Sequence, residues 1–401
     1  MSHLLVIAST RPAPRVGSAG HYMLQVLQGF LARGWHVTFA AAETAGEHQA
    51  DLAALGVNEQ VIAANTLAPL AQAPDVVLFD HFAVEEQFAG LIALHYPGAL
   101  RMLVGNGLHS LREARQQLLR RRLVEGLDPN DFRALFATTG PALYRQMAPS
   151  ATTQRELAAI WRCDLTLLPG EAELDLLVNG FGVPDYLLHH CPITATPAPQ
   201  PWRPFSERQH FVSLGNFDQA ANQDALLWLR HNLWPMLRRR LPDARLDVWG
   251  AGAATRAMAL HAPDEGFHLR GWAEDADTLM GNARVCLAPL RFGAGFKGRL
   301  LDALRCGTPS VTTPIGAEGL QGRQPWPGAI ASSAEGLAEA AARLHSDEAQ
   351  WNKAQAGCAQ WLSQQRDALL VERVEHGLGH LEEQRLYNFT GAMLRRSAKP
   401  Q

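Results

Sequence analysis

The sequence predicts an α/β protein made of two doubly wound domains, each built on a parallel β-sheet. A chain of 401 residues is too long for one hydrophobic core of ordinary size. Apolar, strand-like runs alternate with segments of helical periodicity in both halves, which is typical of helices covering both faces of a parallel sheet. A proline-rich stretch separates the two alternating series, so we expect two domains rather than one.

The N-terminal half begins with a β-α-β unit. His3–Ala8 is a short apolar run that predicts a strand, Gly20–Arg33 has the periodicity of a helix, and Trp35–Ala41 predicts the next strand. Gly34 supplies the turn between the helix and that strand. Further strands are expected at 76–79, 100–104 and 165–168, and further helices at 108–124 and 153–162.

Five prolines lie between Cys191 and Phe205, a composition that disfavours both helices and sheet ladders. The alternation restarts after them, with strands expected at 210–214, 245–249, 267–270, 285–288 and 310–312 and helices at 224–240 and 254–261. Residues 348–394, rich in Gln, Glu, Arg and Leu, predict further helices. The expected organisation is an N-terminal domain at 1–192, a linker at 193–209, a second domain at 210–375 and a helical tail at 376–401.

Composition and charge disfavour several classes of protein. A formal net charge of −3 does not favour nucleic acid as a partner. The five cysteines are odd in number and widely spaced, so we expect reduced, mostly buried thiols and no zinc site. Charged or polar residues interrupt every apolar stretch before it reaches the ~18 residues that a membrane span needs, and the first strand lacks the basic leader of a signal peptide. These features predict a cytoplasmic protein.

A loop with two glycines stands out in the second half of the chain. A strand is expected to end near Pro289, a loop containing Gly293 and Gly295 follows, and a helix is expected to begin at about Phe296. The N–H groups and the dipole at a helix start favour the binding of a diphosphate. A glycine loop alone is as often an ordinary helix terminus.

Charged residues next to this loop favour a binding site over an ordinary turn. Lys297 and Arg299 add positive charge at the expected helix start, as a metal ion does in other proteins. Asp302, about a turn and a half along the helix, could accept hydrogen bonds from the two ribose hydroxyls of a nucleotide. Glu318, within Gly316–Gly319, belongs to a second close loop beside the site. All of these lie at the expected carboxyl edge of a parallel sheet, where open α/β sheets bind ligands.

The segment from Phe211 to Leu320 resembles the donor domain of the retaining glycosyltransferases of family 4 (group 1). The order and spacing of its pieces match over about 110 residues. The matching pieces are Leu214-Gly215-Asn216-Phe217, Asn222 with Asp224-Ala225-Leu226, Trp234-Pro235, Val248-Trp249-Gly250, Gly271-Trp272, Pro289 through Leu304, and Gly307-Thr308-Pro309. The N-terminal half resembles the same family's acceptor domain more weakly, at Gly17–Gly20, Gly34–Val37 and Asp75–Val77.

This resemblance implies a GT-B fold, in which two Rossmann-like domains face a cleft. It also implies that a sugar moves from a nucleotide-sugar, with UDP or GDP as its nucleotide, to an acceptor with retention of configuration and without a metal or cofactor. Lys297, Arg299 and the helix start would stabilise the leaving diphosphate, whose oxygen would help to take the acceptor proton. The residues expected to bind the donor are Gly20, Gly215, Asn216, Trp272, Arg291, Gly293, Gly295, Phe296, Lys297, Asp302 and Glu318.

The sequence departs from the family pattern at two places. The family often has two acidic residues eight positions apart, of which the second matches Asp302 while the first position is Ala294. A variant group of the family carries a glycine-rich loop and a lysine instead, and this chain resembles that group. The basic pair that follows the first strand of this domain in the family is also missing, with Asn216 and Asn222 nearby.

One histidine of the N-terminal half is a candidate catalytic residue. Enzymes of this class commonly have a histidine at the end of an N-domain strand, and His109 after Val104–Leu108 is the nearest candidate. His21 and His81 stand behind it, and each could equally be an ordinary hydrogen-bonded histidine.

Five arginines share the helix predicted beyond His109, namely Arg112, Arg115, Arg120, Arg121 and Arg122. A solvated basic face is the simpler interpretation. The alternative is a patch for an acidic acceptor, including a lipid head group at a membrane surface, which would make the protein peripheral to the inner face of the membrane. The acceptor classes left open are a glycan, a lipid-linked sugar and another hydroxyl compound.

Three other functions stay open on the sequence. A NAD-dependent oxidoreductase would share the doubly wound sheets, but Gly250–Gly252 gives only part of the dinucleotide fingerprint. A nucleotide-sugar epimerase would need acid and base carboxylates, for which Glu85, Glu86 and Glu318 are candidates. A non-catalytic binding protein would explain Ala294. Nucleotide release from a panel of nucleotide-sugars, with and without an acceptor, separates these functions.

Overall fold

The computed structural model describes residues 2–42, 48–62, 66–67, 70–252, 258–322, 324–365 and 369–397. These residues form two compact units, each with its own parallel sheet. Unit 1 contains the described parts of 1–111, 140–193 and 367–401, and unit 2 those of 112–139 and 194–366.

The sheet of unit 1 has seven strands. In chain order they are β1 (His3–Ala8), β2 (His36–Ala41), β3 (Asn58–Val61), β4 (Val76–Phe79), β5 (Leu100–Val104), β6 (Leu165–Leu168) and β7 (Leu188–His190). They are arranged as β3-β2-β1-β4-β5-β6-β7, and every neighbouring pair is parallel. Strands β1, β4, β5 and β6 are buried along their whole length because helices cover the sheet.

The sheet of unit 2 has six strands. They are β8 (Gln209–Leu214), β9 (Leu246–Trp249), β10 (Phe267–Gly271), β11 (Ala283–Ala288), β12 (Ser310–Thr312) and β13 (Gly328–Ile330). The order β10-β9-β8-β11-β12-β13 is again fully parallel. The order reverses between β8 and β11, so this pair marks the topological switch point of the sheet, where open α/β sheets bind ligands.

Helices cover the two sheets. In unit 1 they include Ser18–Ala32, Phe82–His95, Gly140–Met147, Ala151–Arg162, Glu171–Asp175, Leu370–Gly379, Leu381–Tyr387 and Phe389–Ser397. In unit 2 they include Arg133–Phe136, Ala220–Trp228, Trp234–Arg240, Ala276–Asn282, Gly298–Arg305, Pro314–Ala317, Ala334–Ser346 and Glu348–Ser363. The helix His109–Val124 begins in unit 1 and belongs to unit 2 from Arg112 onward.

The secondary structure agrees with most of the sequence-based expectations. Strands β1, β4, β5, β6 and β12 have the expected bounds, and the expected parallel pairing is confirmed. The helix expected from about Phe296 begins at Gly298 instead. The helix expected at 254–261 falls partly outside the described residues, and its described part is a 3-10 turn at Met258–Leu260. The short strands β3, β7 and β13 were not expected.

The expected domains follow one another along the chain, whereas each unit of the structure is made of several separate segments. The segment 112–139, expected in the N-terminal domain, lies in unit 2, and the chain passes from unit 1 to unit 2 again between Ile193 and Thr194. Phe132 is fully buried in unit 2, where its ring contacts Trp228, and the indole of Trp228 donates to the carbonyl oxygen of Pro129. This segment is therefore part of the core of unit 2.

All five cysteines are buried and unbridged, as expected for reduced thiols. In the described part of the chain, no helix is long and apolar enough to cross a bilayer.

Candidate functional site

The carboxyl edge of the sheet in unit 2 brings together most of the residues expected to bind a donor. Gly215 and Asn216 follow β8, Trp272 follows β10, the segment from Arg291 to Lys297 follows β11, and Glu318 comes after β12 and a short helix. Because all six strands are parallel, their carboxyl ends lie along the same edge. Gly20 and His109, also expected at the site, belong to unit 1.

The loop that connects β11 to the helix Gly298–Arg305 spans Pro289–Lys297 and is called the glycine loop below. Gly295 has φ +66, a left-handed conformation that favours glycine. Lys297 is the N-cap of the helix and has extended backbone angles, φ −111 and ψ 107. Phe296 is buried, and the helix starts at Gly298, two residues later than expected.

Lys297 folds back over the glycine loop. Its Nζ donates to the carbonyl oxygens of Ala294 and Gly295, and the side chain is buried. A Cβ at Gly293 would lie 3.3 Å from Cε of Lys297, so the missing side chain at 293 leaves space for the lysine. The ammonium group is thereby held at the helix entry, where positive charge and helix dipole act together.

Arg299 brings a buried positive charge to the end of β8. Its guanidinium donates to Oδ1 of Asn222, whose Nδ2 donates to the carbonyl oxygen of Asn216 at 2.8 Å. A Cβ at Gly215 would lie 3.2 Å from Nη2 of Arg299, so the guanidinium lies directly against the loop after β8. Burial lowers the pKa of Arg299 to about 10, and no carboxylate of the described residues pairs with it. Arg299, which belongs to the helix Gly298–Arg305, therefore supplies positive charge beside the loop after β8, where the basic pair of the family is missing.

The positive charge of Arg291 is compensated by an ion pair. It forms two hydrogen bonds to the carboxylate of Asp224, at 2.9 and 2.5 Å. Its guanidinium also lies 6.0 Å from the ring centre of Phe132. Arg291 is thus fixed from two sides, by the helix Ala220–Trp228 and by the segment 112–139.

Glu318 is held by an arginine that the sequence did not single out for this site. Nη1 and Nη2 of Arg115 donate to its two carboxylate oxygens at 2.6 and 2.8 Å, and Nη1 also donates to the carbonyl oxygen of Gly293 at 2.7 Å. Burial acts to raise the pKa of Glu318, but the hydrogen bonds and charge of Arg115, with the nearby charge of Lys297, outweigh it and lower that pKa. Arg115 is mostly buried, in contrast to the exposed Arg120, Arg121 and Arg122 of the same helix.

Asp302 and Trp272 were also expected to bind the donor. The carboxylate of Asp302 is 3.5 Å from Arg305, whose main ion pair is with Asp277 at 3.0 Å. Trp272 is partly buried beyond the end of β10. Asp302 is four residues into the helix, because the helix begins at Gly298.

Two of the cations at this edge are paired with carboxylates, Arg115 with Glu318 and Arg291 with Asp224. Lys297 donates to backbone carbonyl oxygens and Arg299 to a side-chain amide oxygen. Buried positive charge at this edge of the sheet favours an anionic ligand such as a diphosphate.

Unit 1 has its own cluster of polar residues at the ends of β4 and β5. Nδ1 of His81 accepts from the backbone N–H of Ala83, so in its neutral form the Nε2 of His81 carries the proton that faces Nε2 of His109, 3.0 Å away. The backbone N–H groups of His109 and Ser110 donate to the carboxylate of Glu156. The candidate His109 is thus paired with His81 and fixed at a helix start.

Gly20 of unit 1 is needed for a close backbone approach. A Cβ at this position would lie 2.5 Å from the carbonyl carbon of Ala13, which no other residue tolerates.

The two doubly wound parallel sheets place this chain among proteins of the GT-B fold, as expected from the sequence. Residues 208–347, which include the whole glycine loop, match the family model described as Glycosyl transferases group 1. No curated protein sequence matches the chain.

Several solved structures resemble the chain in fold. A mutant of S. aureus TarM, solved with fondaparinux, alpha-GlcNAc-glycerol and UDP, is 8% identical with a TM-score of 0.67, covering 94% of this chain and 99% of that one. Anabaena HepE with UDP and glucose is 12% identical with a TM-score of 0.62, covering 96% and 100%. Sucrose-phosphate synthase from Thermosynechococcus elongatus is 15% identical with a TM-score of 0.63, covering 96% and 99%.

Proposed function

We propose that this protein is a glycosyltransferase that moves a sugar from a nucleotide-sugar to a hydroxyl group of an acceptor, with retention of configuration and without a metal ion. The observation that carries the proposal is the buried, carboxylate-free Arg299 beside Lys297 at the carboxyl edge of β8 and β11. Burying a cation without a counter-charge is costly, so the burial of Arg299 favours an anionic ligand at this place.

The same cations suit the chemical step. The bond between the anomeric carbon and the diphosphate oxygen breaks, and its electron pair stays on that oxygen. Lys297 and Arg299 stabilise this developing charge in a site that is already ordered. The acceptor oxygen forms the new bond on the same face of the sugar, and its proton passes to the departing phosphate oxygen. His109 is the candidate in unit 1 for a contact with the sugar or acceptor.

The comparisons support the substrate class. The family model matches residues 208–347, which include the glycine loop, Arg299 and Glu318, and the solved TarM and HepE structures contain UDP. A UDP-sugar is therefore the first donor to test, and a GDP-sugar is the second. The acceptor we propose is a glycan, a lipid-linked sugar or another hydroxyl compound, met in the cytoplasm or at the inner face of the membrane.

The candidate carboxylates for an epimerase are engaged in ion pairs. Glu85 pairs with Arg162, Glu86 with Arg155 at 2.6 Å, and Glu318 with Arg115. Arg155 lowers the pKa of Glu86, and Arg115 outweighs burial to lower the pKa of Glu318, so both carboxylates are weak proton acceptors. Burial raises the pKa of Glu85 despite Arg162, but the Glu85 side chain has no exposed surface for a substrate to reach. Sugar transfer is for this reason preferred over epimerisation.

Nucleotide release from a panel of UDP- and GDP-sugars, with and without mixed glycan acceptors, tests the proposal. We expect release with one donor and a strong loss of that release in Lys297→Ala, with circular dichroism unchanged. Lys353→Ala is the matched control, since Lys353 is exposed on the helix Glu348–Ser363. Normal turnover in Lys297→Ala, or no binding of any nucleotide-sugar, would contradict the proposal.

A further inference from the structure

Unit 1 contains a cluster of shielded charges around the amino ends of β5 and β6, called the arginine cluster below. Its members are the carboxylates of Glu85 and Asp164 and the arginines Arg101, Arg162, Arg385 and Arg395. None of the six side chains is more than 22% exposed. Arg101 and Asp164 lie at the edge of the sheet opposite to His81 and His109, so the cluster is separate from that histidine pair.

Both carboxylates of the cluster are already occupied. Glu85 accepts from Nε and Nη2 of Arg162. Asp164 accepts from Nε and Nη2 of Arg385 at 2.9 and 2.7 Å, and from Nη1 of Arg395 at 3.2 Å. The backbone N–H of Arg101 donates a fourth hydrogen bond to Asp164 at 2.9 Å. Because a carboxylate accepts about four hydrogen bonds, Asp164 has no further place for the guanidinium of Arg101.

The guanidinium of Arg101 has no acceptor within the described ranges of the chain. Arg101 is only 4% exposed, and its Nε is buried without a hydrogen-bond partner. Burial lowers the pKa of Arg101, and the nearby positive charges of Arg385 and Arg395 lower it further, against the opposing charge of Asp164. Since burying a cation without an acceptor is costly, this place favours an added anion.

Arg395 is the second arginine with unused donors. Its Nη1 donates to the carbonyl oxygen of Arg162 at 3.1 Å and to Asp164, whereas its Nε and Nη2 make no hydrogen bond to any described residue. Its side chain is 14% exposed and belongs to the helix Phe389–Ser397. Arg101 and Arg395 thus both bind Asp164, one from the sheet and one from a helix that covers it.

We propose that the arginine cluster binds an oxyanion of the phosphate class, held by Arg101 and Arg395, which fixes the helix Phe389–Ser397 to the amino edge of the sheet in unit 1. A tetrahedral oxyanion offers several acceptor oxygens, and arginine binds such oxygens through two parallel N–H groups. The site goes beyond the proposed function, because no residue proposed for sugar transfer belongs to it.

Inorganic phosphate is the probe for this site, compared with chloride at the same ionic strength. We expect about 20 mM phosphate to raise the melting temperature of the full chain by about 3 °C and to slow hydrogen exchange in the helix Phe389–Ser397.

Arg101→Met keeps a long side chain without the charge, so we expect it to lose the extra stabilisation and the slower exchange. In chloride its melting temperature should be no lower than that of wild type, because a buried cation without an acceptor has been removed. Arg155→Met, which removes an exposed arginine of unit 1, is the matched control and should respond to phosphate as wild type does.

The comparison of wild type with Arg101→Met isolates this site. General stabilisation by phosphate, and phosphate bound to the cations of unit 2, affect both proteins equally. The proposal is overturned if phosphate leaves exchange in the helix Phe389–Ser397 of wild type unchanged, or if Arg101→Met responds as strongly as wild type. It is also overturned if Arg101→Met melts well below wild type in chloride, because Arg101 would then stabilise the fold through the protein alone.

Discussion

Asp80, which follows β4 in unit 1, is a carboxyl group whose ionisation the fold opposes. Its Oδ2 accepts from the backbone N–H of Ser9 at 2.9 Å and from the Ser9 hydroxyl at 2.8 Å. Its Oδ1 is buried and has no hydrogen-bond partner among the described residues. Burial raises the pKa of Asp80 to about 6, although the hydrogen bonds from Ser9 act to lower it.

This pKa gives unit 1 a pH-dependent stability. A carboxyl group with a raised pKa in the folded state binds its proton more tightly there, so its contribution to stability is present below about pH 4 and is lost as pH rises through 6. Asp80→Asn keeps an acceptor for Ser9 but carries no charge. Between pH 4 and pH 7 we expect the free energy of unfolding of this variant to improve relative to wild type by about 2 kcal/mol.

Urea unfolding at several pH values measures the effect. The exposed Asp243→Asn is the control and is expected to show no such pH-dependent difference. A difference between Asp80→Asn and wild type that stays constant from pH 4 to pH 7 would show that Asp80 titrates normally.

At the residue scale, sequence patterns identified the glycine loop but not all of its partners. Lys297 and Arg299 could be found because they are adjacent to the glycines in the chain. Arg115 is 178 residues from Gly293, and no local pattern distinguishes it from the exposed arginines beside it. Only the folded structure shows that Arg115 contacts the glycine loop.

At the scale of elements, the entry to the helix Gly298–Arg305 depends on close packing of two loops. Gly319 has φ +83, and a Cβ there would lie 3.0 Å from both Cα and the backbone nitrogen of Phe296. Any side chain at 319 has to move the glycine loop or strain its own backbone.

Gly319→Ala is therefore expected to destabilise unit 2 by roughly 1–3 kcal/mol and to weaken nucleotide binding, since both the left-handed backbone and the contact are unfavourable for alanine. Gly322→Ala is the matched control, because nothing lies within 4 Å of a Cβ at that position. Thermal unfolding and nucleotide titration measure the two effects. Equal stability and affinity in both variants would refute the argument.

The elements that could be predicted are those with a strong apolar pattern. β1, β4, β5 and β6 are continuous apolar runs because both faces of the sheet are covered. β3 reads Asn-Glu-Gln-Val and lies at the sheet edge, largely exposed, so it carries no such pattern. β7 and β13 are only partly buried, so neither forms a continuous apolar run, whereas the equally short β12 is fully buried.

At the scale of the whole molecule, the two units were predictable but the path of the chain between them was not. The alternation of strands and helices predicts two parallel sheets. The exchange of 112–139 into unit 2 depends on long-range contacts, such as the backbone hydrogen bonds from Phe132 to Ser332 and from Ala334 to Asn130. The amino-acid composition does not predict these long-range contacts.

A fragment of residues 194–366 tests the importance of this exchange. It lacks Phe132 and Arg115, so we expect it to fold loosely, to bind a hydrophobic dye and to bind no nucleotide. Joining residues 112–139 to the same fragment through a flexible linker is expected to restore a cooperative unfolding transition. A fragment that is fully cooperative without the added segment would show that these contacts contribute little.

The chain path also sets an order of events during synthesis. The helices Leu370–Gly379, Leu381–Tyr387 and Phe389–Ser397 pack in unit 1, where Arg385 pairs with Asp164 at 2.7 Å and Asn388 binds the carbonyl oxygen of Trp161. These helices leave the ribosome after every residue of unit 2. Unit 1, whose strands are synthesised first, therefore receives these three helices only after all of unit 2 has been synthesised.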